Sequence, residues 1–104
     1  MPTVLPLPGA PATRRQRALQ GERRVSELRR TLIDAIAERL QPLLDAEDGP
    51  TQAELAALLG LTRSRLNRLL KREVELFALD SLAAIAARAG LTVRVSARRP
   101  YRRS

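Results

Sequence analysis

The sequence predicts an all-α fold of four to five helices, followed by a short C-terminal β-strand. The chain has 104 residues, which is enough for one small domain with a single core. Hydrophobic residues form 44% of the chain but aromatic residues only 2%, so aliphatic side chains must fill that core. Such a composition favours helices over a β-sandwich, whose core draws on aromatic and β-branched residues. The spacing of the apolar residues also follows the helical period in successive segments.

The first predicted helix covers residues 22–44. Its apolar residues recur at steps of three and four, as on one face of a helix: Val25, Leu28, Leu32, Ile36, Leu40 and Leu43. Pro42 is expected to shorten or kink this helix near its end. Residues 14–24, just before it, are basic and are compatible with either a weak helix or a flexible arm.

The second predicted helix begins after Thr51. A threonine can accept a hydrogen bond from the backbone at a helix start, and Glu54 three residues later completes a capping box. Gly60 follows after only two turns and predicts the helix end, because glycine adopts the left-handed conformation that other residues resist. The face expected to be buried consists of Leu55, Leu58 and Leu59.

A third helix is predicted over residues 63–71, with Thr62 as its N-cap. At 100° per residue its leucines fall on one side: Leu66, Leu69 and Leu70. Polar and basic residues fall on the opposite side and its flanks: Ser64, Arg65, Asn67, Arg68, Lys71 and Arg72. Residues 62–72 contain five basic side chains and no acidic one. We therefore expect an apolar inner face and a cationic outer face.

The C-terminal third combines a fourth helix with a strand. Phe77, the only phenylalanine, is expected in the core, and residues 80–89 are predicted to form a helix that Gly90 ends. In residues 91–97 the pattern changes to a two-residue alternation, which predicts a strand. Because one strand cannot pair its own backbone groups, a second copy of the chain is the expected partner, with Val93 and Val95 at the dimer interface.

Two short helices joined by a glycine turn, the second of them basic on its outer face, are typical of a helix-turn-helix. The segment TQAELAALLGLTRSRLNRLL resembles the helix-turn-helix of Xre/Cro-like repressors, and VELFALDSLAAIAARAGLTVRV resembles HigA-like antitoxins of type II toxin–antitoxin systems. The resemblance covers residues 28–95. It implies a homodimeric repressor that binds the operator of its own operon and often also binds a RelE-like ribonuclease toxin of the HigB kind.

The sequence departs from this family at two places. The family commonly has Asn-Gly-Lys directly after the recognition helix, whereas this chain has Lys71, Arg72 and Glu73, with no glycine. The family often has a serine where this chain has Ala78, so the cap of the fourth helix is expected to shift to Asp80. Neither departure removes the residues of the outer face.

The outer face of the third helix supplies the candidate DNA contacts. The N-terminal half of a recognition helix enters the major groove, where arginine pairs with guanine and asparagine with adenine. The candidate base-reading residues are Arg63, Ser64, Asn67 and Arg68. The candidate phosphate contacts are Thr51, Gln52, Thr62, Arg65, Lys71 and Arg72. In the alternative interpretation the threonines are only helix caps, and Arg65 and Arg72 are only solvated.

Charge divides the chain into three parts. The net charge is +8, but residues 26–97 carry equal numbers of acidic and basic side chains, so the excess lies at the two ends. The predicted division is a flexible basic N-terminal arm at 1–24, a helix-turn-helix DNA-binding domain at 25–90, and a dimerisation strand with a basic tail at 91–104. Basic ends suggest a polyanionic partner, either nucleic acid or an anionic membrane surface, although they also favour solubility.

The residue inventory argues against catalysis and against a metal site. The chain has no cysteine and no histidine and lacks a Walker loop, so we expect no enzyme activity, no cofactor and no bound metal. No apolar run approaches the roughly 18 residues of a membrane span, so we expect no membrane partner and a cytoplasmic location. Two other interpretations stay open: a stand-alone phage or chromosomal Xre-type regulator, and a small helical adaptor that binds an acidic protein.

Overall fold

The apolar faces of four α-helices meet in one core. The computed structural model describes residues 13–94. Its elements are α1 (Arg14–Asp45), α2 (Gln52–Leu59), α3 (Arg63–Leu70), a short 3-10 helix (Val74–Leu76) and α4 (Leu79–Arg88). α1 packs along α4 and also contacts α3 and the 3-10 helix, while α2 packs on α3 and α4. Every buried side chain in the described part of the chain is hydrophobic. The predicted all-helical core is confirmed over this region.

α1 begins earlier than the sequence pattern predicts. The Thr13 side chain accepts a hydrogen bond from the backbone N–H of Gln16 at 3.1 Å, and the Gln16 side chain accepts one from the N–H of Thr13 at 2.8 Å. This reciprocal cap satisfies backbone donors at the start of the helix. Residues 14–24, assigned above to a flexible arm spanning 1–24, are therefore the first turns of α1. Residues 1–12 lie outside the described part of the chain.

Only the C-terminal half of α1 enters the core. Its buried residues are Ile33, Ile36, Ala37 and Leu40. Val25 is 42% exposed and Leu43 is 37% exposed, so both ends of the apolar face lie at the surface. The helical period is correct, but the partner helices cover only the middle of this face. Pro42 does not end α1, which continues to Asp45; a proline in the last turn removes a single helical hydrogen bond.

α2 has the predicted start but a narrower buried face. The Thr51 hydroxyl accepts from the N–H of Glu54 at 3.2 Å, and the Glu54 carboxylate accepts from the N–H of Thr51 at 3.5 Å, which confirms the capping box. Its buried residues are Leu55, Ala56 and Leu59. Leu58 is 71% exposed, so its predicted burial is wrong. At 100° per residue Leu58 lies on the flank of this helix, and the neighbouring helices cover only its centre.

A left-handed glycine joins α2 to α3, as predicted. Gly60 has φ = 70°, and the N–H of Leu61 donates to the carbonyl of Ala56 at 2.8 Å. From α4, the Arg88 guanidinium donates to the carbonyl of Leu59 at 2.9 Å. A Cβ atom at position 60 would collide with that guanidinium. The turn thus needs glycine mainly for its conformation, and a larger residue there would also displace the end of the Arg88 side chain.

The turn after α3 contains no glycine. Arg72 itself adopts the left-handed conformation, with φ = 60°, and the N–H of Glu73 donates to the carbonyl of Arg68 at 3.1 Å. An arginine in this conformation costs roughly 1–2 kcal/mol relative to a right-handed residue. Phe77, 1% exposed, then enters the core as predicted.

α4 begins at Leu79, and its N-cap residue is Ala78, which provides no side-chain hydrogen bond. The expected shift of the cap to Asp80 is wrong, because Asp80 lies inside the first turn and accepts from the N–H of Ser81 at 3.0 Å. Gly90, with φ = 82°, follows the end of α4 as predicted. Residues 91–94 form no strand in the described structure. The other residues of the predicted strand, 95–97, lie outside it.

Candidate nucleic-acid interface

The two faces of α3 separate cleanly. Leu66 and Leu69 are fully buried, which anchors the helix to α1 and α2. The four candidate base-reading residues are all exposed: Arg63, Ser64, Asn67 and Arg68. Among the described residues, none of these four side chains has a hydrogen bond or an ion pair. Their donors and acceptors therefore point to solvent and are available to a ligand.

The N-terminus of α3 is capped without an acidic residue. The Thr62 hydroxyl accepts from the N–H of Arg65 at 3.1 Å, and no acidic side chain lies in the first turn. Only one N–H group of that turn is satisfied by the cap, and the positive end of the helix dipole is not neutralised. A helix start with these properties favours an anion such as a phosphate group.

Arg65 is the candidate phosphate contact whose surroundings differ most from the prediction. Its guanidinium lies over the Phe77 ring, 4.5 Å from the ring centroid. Its Nη2 also lies 3.5 Å from the carbonyl oxygen of Leu76, as a hydrogen-bond donor. The side chain is half-buried. Arg65 is therefore held by the protein and is not merely solvated; the sequence pattern gave no indication of this contact, because it joins two separate elements.

The other candidate phosphate contacts differ in how strongly the protein holds them. Arg72 forms an ion pair with Asp34 of α1 at 3.2 Å, at the surface. Lys71 and Gln52 are exposed, and their side chains make no hydrogen bond within residues 13–94. The Thr51 hydroxyl is engaged with the Glu54 carboxylate at 3.0 Å. Thr51 and Gln52 lie at the start of α2, as expected for a pair that would touch one phosphate.

A shallow cleft of about 250 Å³ lies beside the N-terminal half of α3. It brings together four of the predicted contacts and one residue that the sequence analysis did not identify: Thr62, Ser64, Arg65, Arg68 and Leu76. Leu76 is 43% exposed although its neighbour Phe77 is buried. We name this group of five residues the reading cleft. It is the place where the base-reading and phosphate candidates meet.

The predicted dimer residue Val93 lies in a different part of the molecule. It is 37% exposed and lines an apolar groove of about 450 Å³ between α1, α4 and residues 91–94. Leucines and alanines form most of the groove wall: Leu28, Leu32, Ala35, Leu79, Ala83, Ala86 and Leu91. Asp80 and Arg94 also line it, so the groove carries one charge of each sign. Val95 lies outside the described residues.

In the described region, no helix combines the length and the apolar character needed to cross a membrane.

A family model described as a helix-turn-helix domain matches residues 20–98. No curated protein and no solved structure matches the chain. The matched range contains the whole of α2, α3 and α4, and thus both capped helices and the glycine turn between them. The chain therefore belongs to this family of helix-turn-helix domains.

Proposed function

We propose that the protein is a sequence-specific repressor that binds double-stranded operator DNA through the outer face of α3 and acts in the cytoplasm. The observation that carries this proposal is the state of that face: four exposed polar side chains without partners among residues 13–94, beside a helix start with no acidic residue. Base edges need such donors and acceptors, and phosphates need such a helix start. The membership of the helix-turn-helix family supports the same function.

We further propose that the repressor is an antitoxin that regulates its own operon and neutralises a RelE-like ribonuclease toxin. The support is the resemblance of VELFALDSLAAIAARAGLTVRV to HigA-like antitoxins. A stand-alone Xre-type regulator would share the same DNA-binding face. Copurification of the product of the adjacent gene with this protein distinguishes the two, because only an antitoxin forms a stable complex with it.

The repressor is proposed to bind as a homodimer that includes Val93 and Val95. The support is the apolar groove beside Val93 and the two charges in its lining. A two-fold symmetric dimer would match two half-sites in the operator. Replacing Val93 and Val95 together by aspartate should give monomers in analytical ultracentrifugation and weaken operator binding. A dimer of unchanged strength would contradict this interface.

The test of DNA binding compares the DNA upstream of the protein's own gene with scrambled DNA of the same length and composition. Each affinity is measured at two salt concentrations, because each phosphate contact releases counterions and steepens the salt dependence by about 0.9 in the log–log slope. A repressor binds the upstream DNA much more tightly than the scrambled DNA, and both bind more weakly at higher salt. Equal and weak binding to both would contradict the proposal and favour the protein-interaction adaptor.

A further inference from the structure

Leu76 is an exposed apolar residue in otherwise polar surroundings. The other four residues of the reading cleft are threonine, serine and two arginines. The leucine is 43% exposed, so it makes little contribution to the core. An apolar side chain beside a polar binding face can contact an apolar group of the ligand at the matching position.

The position of Leu76 is fixed by two arginines from different helices. Arg65 of α3 donates to the carbonyl oxygen of Leu76 at 3.5 Å, and Arg29 of α1 donates to that of Phe77, also at 3.5 Å. The Phe77 ring is buried beneath the Arg65 guanidinium. These contacts hold the end of the 3-10 helix between α1 and α3. The backbone at Leu76 is therefore held in place, and its side chain lies next to Ser64 and Arg68 in the reading cleft.

We propose that Leu76 contacts the 5-methyl group of a thymine in the site that α3 reads, and that Arg65 positions it. The proposal rests on the proposed DNA-binding function and extends it to a residue outside α3. The thymine methyl is the one apolar group that base pairs present in the major groove, and apolar side chains recognise it. Arg65 positions Leu76 through its hydrogen bond to the Leu76 carbonyl oxygen and its contact with the Phe77 ring. Both contacts hold its guanidinium against the protein.

The test begins with selection of binding sites from random double-stranded DNA. Each thymine of the selected site is then replaced by deoxyuridine, which pairs identically but lacks the methyl group. For the unchanged protein, a single replacement at the contacted thymine of one half-site should lower the affinity about fourfold. This is the equivalent of one methyl group removed from an apolar contact. In the variant Leu76→Ala, the same replacement should have no effect.

Two further variants control this test. Leu58→Ala removes an exposed leucine of α2 that does not line the reading cleft, and it should keep the full deoxyuridine penalty. Arg65→Gln keeps Leu76 but removes the guanidinium, and it should reduce the penalty because Leu76 loses its support. The unfolding midpoint of each variant is measured in parallel to confirm that it is folded.

The outcomes separate the failure of this inference from the failure of the proposed function. If no sequence is enriched in the selection, DNA reading itself is wrong. If a site is enriched but no thymine in it is sensitive to deoxyuridine, or if Leu76→Ala keeps the same penalty, Leu76 makes no methyl contact and only this inference is overturned.

Discussion

α2 and α3 have the same length and the same kind of N-cap, but they differ at the third residue of the helix. Each has eight residues, and each follows a threonine whose hydroxyl accepts from the backbone N–H three residues later. In α2 that third residue is Glu54, which closes a reciprocal cap; in α3 it is Arg65, whose side chain leaves the helix start and packs on Phe77. The first helix start is neutralised by an acid, and the second is not.

This difference shows how two helices of the same length in one small domain can have differently charged N-termini. An acid at the third position closes the cap and offsets the positive end of the helix dipole, so a phosphate contact at the start of α2 depends on the Thr51 and Gln52 side chains and not on that dipole. An arginine there gives up the reciprocal cap, while its contact with Phe77 ties α3 to the next element. The start of α2 is thus neutralised by a residue of the helix itself. The third residue of α3 instead packs on the segment that follows the helix, and the start of α3 is left for its proposed DNA ligand.

The largest expected effect concerns the leucines of the two helices. Leu66→Ala in α3 should lower the free energy of unfolding by about 2–5 kcal/mol, because a fully buried side chain leaves a cavity. Leu58→Ala in α2 should change it by less than about 0.5 kcal/mol, because that side chain is mostly exposed. Urea unfolding measures both. Equal effects would mean that the assigned inner faces are wrong.

The turn that sets the two helices against each other gives the next effect. Gly60→Ala should lower the free energy of unfolding by about 1–3 kcal/mol, because it adds strain in the left-handed region and displaces Arg88. Gly21→Ala is the matched control, since a methyl group there meets no atom within 4 Å. In the middle of α1 that change should stabilise by about 0.5–1 kcal/mol. Thermal denaturation measures both variants. If Gly60→Ala unfolds at the same temperature as the unchanged protein, the turn does not need glycine.

A binding effect of similar size is expected at the outer face of α3. Arg68→Ala should weaken specific DNA binding by about 1–3 kcal/mol and leave the unfolding free energy nearly unchanged, because the side chain has no partner among the described residues. Arg30→Ala, on the exposed surface of α1, is the control for loss of one positive charge. A gel-shift titration measures both. If Arg30→Ala costs as much as Arg68→Ala, the binding is only electrostatic.

The smallest effect distinguishes the two caps. Thr51→Ala and Thr62→Ala should each lower the free energy of unfolding by about 1 kcal/mol, since each removes one hydrogen bond at a helix start. Thr62→Ala should weaken DNA binding more than Thr51→Ala does, because Thr62 also lines the reading cleft. Differential scanning calorimetry and DNA titration of the same samples separate these contributions. If the two variants bind DNA equally well, the position of Thr62 in the reading cleft makes no difference to DNA binding.

The sequence predicted the features that depend on neighbours a few residues apart. The capping box at Thr51, the left-handed Gly60 and the Thr62 cap all follow from contacts within one turn. The sequence did not predict which part of an apolar stripe is covered, because that depends on where other helices lie. For this reason Leu58 was assigned to the core and is exposed.

The same limit explains what the sequence analysis missed at the candidate site. The contact between Arg65 and Phe77 joins residues twelve positions apart through the tertiary fold, and no period or motif indicates it. Leu76 was likewise not identified, because a leucine beside a buried phenylalanine has the pattern of a core residue. The base-reading candidates followed from the helical period of α3 together with their residue types and the resemblance to known repressors, and the structure shows all four exposed. Their roles in DNA reading stay predictions.

The most direct test of the central claim maps the protein surface that DNA contacts. Protein labelled with nitrogen-15 is titrated with a selected DNA site, and the change in each backbone amide signal is followed by NMR. We expect the largest changes at residues 62–68 and at Leu76, with smaller ones at Thr51 and Gln52. Changes confined to the arginine-rich first turns of α1, with the α3 signals unmoved, would contradict it and show that this helix-turn-helix does not read DNA through α3.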